Sequence, residues 1–146
     1  SFETWTASAP EDWGRDKVTS VTYSKSSDAQ QGSNAVLMVG STKNARFGSS
    51  DITLAAGTYS LSVYAKSVAG TAKFKMGYAI IDMIDTDAMN AYKYTQTDAE
   101  ILSTEWRQIT HEFTVENETV ASIFFVNSKS GVGADLLIDN VSLTKK

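Results

Sequence analysis

The stretch Thr58–Ser67, TYSLSVYAKS, decides the fold class. Tyr59, Leu61, Val63 and Ala65 alternate with Ser60, Ser62, Tyr64 and Lys66. An extended chain turns successive side chains to opposite faces, so this spacing describes a strand with one buried face; a helix would repeat its apolar residues every three or four. Just upstream, Ala56-Gly57 signals a turn after the short apolar run Ile52–Leu54.

Working outward, Gln108–Val115 repeats the pattern. Ile109, His111, Phe113 and Val115 share one face, opposed by Gln108, Thr110, Glu112 and Thr114. Ala72–Met83 alternates as well, with Lys73, Lys75, Gly77 and Ala79 against Phe74, Met76, Tyr78 and Ile80. Further strands are expected at Val18–Ser24, Ala35–Val39, Ala45–Phe47, Ala91–Gln96, Ala121–Asn127 and Leu136–Leu143. Asp82–Asn90 is read as an inserted loop with room for one helical turn. Gly131-Val132-Gly133 reads as a turn. No stretch combines a helical apolar stripe with caps. Nine or ten short strands separated by Gly, Asn, Asp and Ser describe an all-β antiparallel β-sandwich, one domain over residues 1–146.

Composition narrows the function. Hydrophobic residues make up 42% and charged residues 21% of 146, figures that suit a folded globular domain and argue against disorder or coiled coil. Thirteen Lys and Arg against 17 Asp and Glu leave a net charge of −4, which disfavours nucleic acid as a partner. The apolar runs are too short for a helical membrane span. No signal-peptide pattern stands at the start, and Ser1 reads as a cut within a longer protein. Absence of cysteine excludes disulfides, thiol nucleophiles and Cys-based zinc sites, and the single His111 excludes a two-His metal site.

Six segments occur in an order that resembles a known group: SFETW at Ser1–Trp5, PEDW at Pro10–Trp13, GSNAVLMV at Gly32–Val39, LAAGTYSLSVYAKS at Leu54–Ser67, STEWRQITHEFTV at Ser103–Val115 and LLIDNVSL at Leu136–Leu143. Together they resemble the galactose-binding-like jelly rolls among carbohydrate-binding modules, the group that contains families four, nine, sixteen and twenty-two. The resemblance implies a jelly roll of two antiparallel sheets. It also implies a non-catalytic module that binds a polysaccharide or oligosaccharide and tethers an attached enzyme or surface protein to it. An extracellular or cell-surface location and covalently attached neighbouring domains go with that reading. A structural or adhesive domain without a sugar site is the alternative.

The same resemblance implies a structural calcium, with Glu3, Gln30, Ser33 and Asp139 at the ligand positions. Two carboxylates and a polar loop suit a cation that takes six to eight oxygens, although Gln30 stands where an acidic ligand would bind more strongly.

A sugar presents an apolar face of C–H groups edged by hydroxyls, so its site needs exposed rings flanked by donors and acceptors. Tyr64 and Lys66 qualify, because they lie opposite the apolar face of their strand. Tyr92, Tyr94 and Gln96 share a face in AYKYTQ. Arg46 and Tyr78 complete the candidate set, with Tyr78 also readable as core. Lys66, Lys73 and Lys75 form a local basic group able to meet uronates. Trp5, Trp13 and Trp106 read as core or core edge, and His111 as a buried, hydrogen-bonded residue. Asp82, Asp85 and Asp87 read as a solvated acidic loop; the EF-hand pattern fails there, and no G-x-S-x-G, phosphate-binding or dinucleotide motif occurs in the chain. No catalytic residue is assigned.

Overall fold

The computed structural model describes residues 1–131 and 133–146. The strands are β1 Trp5–Thr6, β2 Ala9–Pro10, β3 Tyr23–Ser26, β4 Ala35–Met38, β5 Ala45–Gly48, β6 Ile52–Leu54, β7 Gly57–Ser67, β8 Ala72–Ile80, β9 Tyr92–Tyr94, β10 Glu100–Leu102, β11 Arg107–Val115, β12 Thr119–Asn127 and β13 Leu136–Lys145. Between β8 and β9 lie a 3₁₀ turn, Ile81–Met83, and a four-residue helix α1, Ala88–Ala91. The turn read at residues 131–133 includes Val132, which lies outside the described residues.

Two antiparallel sheets face each other. One has the order β11-β7-β13-β4-β3; the other runs β10-β8-β12-β5, with β9 beside β8 and β6 beside β12. In the first, β7 pairs with β11 from Gly57↔Val115 to Ala65↔Arg107, so both alternating strands of the sequence turn their apolar sides the same way. Tyr59, Leu61, Val63 and Ala65 are buried, while Ser60, Ser62, Tyr64 and Lys66 are half-exposed. In the second sheet, Phe74 and Met76 of β8 and Ile123 and Phe125 of β12 point inward.

The core between the sheets is rich in rings. Trp13 stacks on Phe47 at 5.3 Å and on Phe125 at 5.6 Å, and Phe125 stacks on Phe74 at 5.8 Å. Sealing a side chain such as Leu61, Phe74 or Ile138 away from water contributes about 1.5–3 kcal/mol each. Truncating one of the phenylalanines to Ala would cost about 3–5 kcal/mol.

Several boundaries differ from the sequence reading. Of the expected Val18–Ser24 strand only Tyr23 and Ser24 fall in β3, which runs on to Ser26; Val18 is instead part of an apolar group with Ala79, Phe124 and Val126. Residues 91–96 split into the last turn of α1 and β9. β1, β2 and β10, two, two and three residues long, are too short to show an alternation in the sequence.

Candidate functional site

The outward face of the six-stranded sheet carries the candidate site. Cross-strand partners in an antiparallel sheet share a face. Ser122, Ala79 and Tyr92 form one row, Gly48, Phe124, Gly77 and Tyr94 the next, and Arg46, Val126 and Lys75 a third. β12 is buried on both faces over Ala121–Asn127, so this outer surface has an apolar floor. Gly77 lets β9 in: a Cβ there would collide with the Lys93 carbonyl and come within 3.0 Å of the Phe124 ring. Both tyrosines consequently meet Phe124 edge-on, Tyr92 at 5.6 Å and Tyr94 at 5.3 Å between ring centres.

Arg46 organises the pair. Its guanidinium carbon lies 4.0 Å from the centre of the Tyr92 ring, and its Nη2 donates to the Tyr94 hydroxyl at 3.1 Å. A cation over a ring contributes about 0.5–2 kcal/mol, depending on how much water is excluded. Lys75 Nζ sits 5.3 Å from the Tyr94 ring centre and donates to the Thr97 carbonyl at 2.9 Å. Gln96 continues the edge of the sheet with its side chain: Oε1 accepts from the Met76 N–H at 3.2 Å and from the Thr95 hydroxyl at 2.7 Å.

Among the described residues, two buried side-chain atoms lack a hydrogen-bond partner, Arg46 Nε and Gln96 Nε2. An unmet buried donor costs about 1–3 kcal/mol, and such groups call for an explanation. Arg46 braces Tyr94, a residue 36% exposed, and Gln96 follows two positions after it. The exposed Tyr94 ring can stack on an apolar sugar face, while the two unmet donors lie beneath the surface around it.

The other expected site residues lie elsewhere. Tyr64 and Lys66 belong to β7 of the five-stranded sheet, and Tyr64 pairs with Gln108 on one side and Asp139 on the other. They are thus separated from Tyr92 and Tyr94 by the full sandwich. Lys66 is engaged there with Asp28 and lies 5.3 Å from the Trp106 ring centre. Tyr78 faces inward, stacked on Phe113 at 4.6 Å, where burial pushes its phenol pKa up. Trp5 and Trp13 pack against the core, whereas Trp106 is half-exposed outside the core groups. His111 is half-buried, with Nε2 3.0 Å from Glu100 Oε1, and this contact ties the edges of the two sheets. Asp85 pairs with Lys17 at the surface.

A separate cavity of about 460 Å³ opens at the rim between the sheets, lined by Trp13, Ile52, Leu61, Ile123 and Leu143 beneath Asp51. Its single ring, Trp13, is already stacked within the core.

The expected calcium ligands do come close to one loop, but as carboxylates meeting N–H groups. Asp139, fully buried, accepts from the Gln30 and Gln31 N–H groups at 3.0 Å each on Oδ2 and from the Asn140 N–H at 2.7 Å on Oδ1. Glu3 accepts from the Ser33 N–H at 3.0 Å and the Asn34 N–H at 3.1 Å. Gln30 Oε1 accepts from Asn140 Nδ2 at 3.3 Å. Gly32 has φ +70°, and a Cβ there would sit 2.5 Å from Glu3 Oε1, so glycine alone suits the clamp. Calcium needs six to eight converging oxygens. A loop that offers hydrogens to both carboxylates does not fit that cage.

The sequence pattern of the family described as a carbohydrate binding domain matches residues 1–134. No curated protein sequence matches the chain. The CBM22-1 xylan-binding domain of Xyn10C from Paenibacillus barcinonensis has the same fold, with a TM-score of 0.68 at 21% identity over 99% of this chain and 90% of that one. A CBM4 structure gives 0.63 at 17% identity, over 94% and 97%. The CBM22-1–GH10 modules of Xyn10B from Clostridium thermocellum, solved with xylohexaose, give 0.64 at 17% identity over 92% of this chain and 28% of that one. The fold is therefore the jelly-roll sandwich of these modules. By the family pattern along nearly its whole length, the chain belongs to the carbohydrate binding domain family and is a carbohydrate-binding module.

Proposed function

We propose that the glycan lies across the outward face of the six-stranded sheet, on Tyr94 and Tyr92, with Arg46, Gln96 and Lys75 as its polar partners. The exposed Tyr94 ring, held by Arg46 and Phe124 with the Lys75 ammonium beside it, carries this reading. Sugar C–H groups stack on the ring, and hydroxyl oxygens accept from the Arg46 guanidinium and the Lys75 ammonium at its edge. Because Arg46 and Lys75 already sit on strands, little conformational freedom is lost on binding.

The module itself performs no chemistry and acts by effective concentration. Affinity for repeated sugar units keeps a covalently attached enzyme or surface protein near its substrate outside the cell. A CBM22-1 module and a GH10 module occur together in Clostridium thermocellum Xyn10B.

Affinity electrophoresis in gels containing xylan, mixed-linkage glucan or galactan tests the assignment. Retardation by at least one polymer is expected for the wild type and for Tyr64→Ala, and its loss for Tyr94→Ala. Retardation abolished by Tyr64→Ala and kept by Tyr94→Ala would move the site to the opposite sheet. Release of reducing sugar by the isolated chain would overturn the non-catalytic role.

A further inference from the structure

Resting on the reading that this face holds a glycan, we propose that the polysaccharide carries carboxylates: the ligand is a uronic acid-bearing chain. Beyond the Tyr94 row, the surface continues to Arg46 and Lys75, and then to Lys73, roughly 7 Å further along β8 at two residues per pleat repeat. There it sinks into a depression of about 450 Å³ lined by Lys73, Lys75, Lys129, Asn44, Asp98 and Ser128.

Three ammonium groups and one carboxylate make this depression positive by two charges, and the adjacent Arg46 adds a third. The chain as a whole carries −4, so the positive charge is concentrated against the overall balance. The six ion pairs among the described residues all use other cations. The segments that carry the lysines are pinned: the Ser128 N–H donates to the Lys73 carbonyl at 2.8 Å, and the Lys129 N–H to Asn44 Oδ1 at 3.0 Å. The Thr97 carbonyl holds Lys75 Nζ without neutralising it.

A neutral glycan would meet these ammonium groups with hydroxyls alone. A uronate would form charge-assisted hydrogen bonds, which are roughly twice as strong as neutral ones. The ring platform and the cationic depression then divide the work along one chain. Tyr94 recognises the sugar face, and Lys73, Lys75 and Lys129 recognise the substituent.

Glucuronoxylan and polygalacturonate, each compared with its own carboxyl-reduced form, test this directly, because reduction removes the charge and leaves the linkages. By isothermal titration, at least one acidic polymer should bind at least tenfold more tightly than its reduced form at low salt, with the gap shrinking at 0.5 M NaCl on the order expected from charge screening. The double variant K73Q/K129Q should lose that preference and keep its affinity for the reduced polymer, whereas Tyr94→Ala should lose both. Equal affinity for native and reduced polymers overturns the proposal and leaves the glycan site standing. Equal binding of inorganic polyphosphate would show an indiscriminate anion patch and overturn it as well. Absence of binding to any polysaccharide would overturn both readings together.

Discussion

Arg46 holds its guanidinium carbon 4.0 Å from the centre of the Tyr92 ring. That contact explains how two tyrosines two residues apart on a three-residue edge strand keep fixed positions. One arm of the same group reaches the Tyr94 hydroxyl, so a single planar ion spans both rings from β5, on the far side of β12. Arginine suits this better than lysine, because its fork bonds in one direction while its face lies on a ring.

Replacing Arg46 should therefore damage binding more than folding. Arg46→Ala removes a donor to the ligand and the brace on both rings, and a loss of tenfold or more in glycan affinity is expected, about 1.4 kcal/mol or more. Arg46→Lys keeps the charge without the fork and should fall between the two. Thermal midpoints of both variants should stay within a few degrees of the wild type, since the residue is on the surface side of its sheet. Titration calorimetry and thermal melts check the pair of outcomes, and a variant that binds normally would remove Arg46 from the site.

Particular residues show where sequence reading sufficed and where it stopped. Alternation in Thr58–Ser67 and Gln108–Val115 gives each side chain its inward or outward sense, because that sense is set by the strand itself. Tyr92 and Tyr94 were legible as a pair for the same reason. Alternation cannot say which of two sheets a strand joins, since that depends on pairing partners far along the chain. Tyr64 was accordingly grouped with tyrosines that lie across the sandwich. Phe124 offered a missed signal: the unbroken run Ile123–Val126 is the mark of a strand covered on both faces, and it points to whatever covers the outer one. β10, only three residues long, is too short to display a period. The carboxylates of Glu3 and Asp139 were legible as meeting one loop, but the sequence does not show whether a loop turns carbonyls or N–H groups toward them.

The loop at residues 30–34 should be indifferent to calcium. Its N–H groups already satisfy both carboxylates, so adding calcium or a chelator is expected to move the thermal midpoint by less than about 1 °C. Asp139→Asn, in contrast, sets an amide NH₂ against groups that are themselves donors. Losing charge-assisted bonds in a buried place should cost about 2–4 kcal/mol. For a chain of this size that corresponds to a fall on the order of 5–15 °C in a melt. A midpoint that rises by several degrees with micromolar calcium would show a cation in the clamp and reverse this assignment.

Acid should loosen the rim through Asp51. Arg15 donates to both Asp51 oxygens, Nη2 at 3.1 Å, and this hydrogen bonding holds the Asp51 carboxyl below its ordinary range. A carboxylate whose folded pKa is depressed adds stability that is present above its unfolded value, about 3.9, and lost as pH falls through the folded one. The Asp51 side chain is 42% exposed, so solvent screening keeps its contribution below about 1 kcal/mol. Denaturant melts of Asp51→Asn should show a loss of that size at pH 7. Below about pH 4 the wild type should lose this advantage and converge on the variant, because protonated Asp51 no longer pairs with Arg15. A variant whose deficit is unchanged at pH 2.5 would mean that the pair acts through packing. In that case the two backbone bonds from Gly14 and Arg15 to the Gly48 carbonyl, 2.8 and 3.2 Å, would be what fastens this segment to β5.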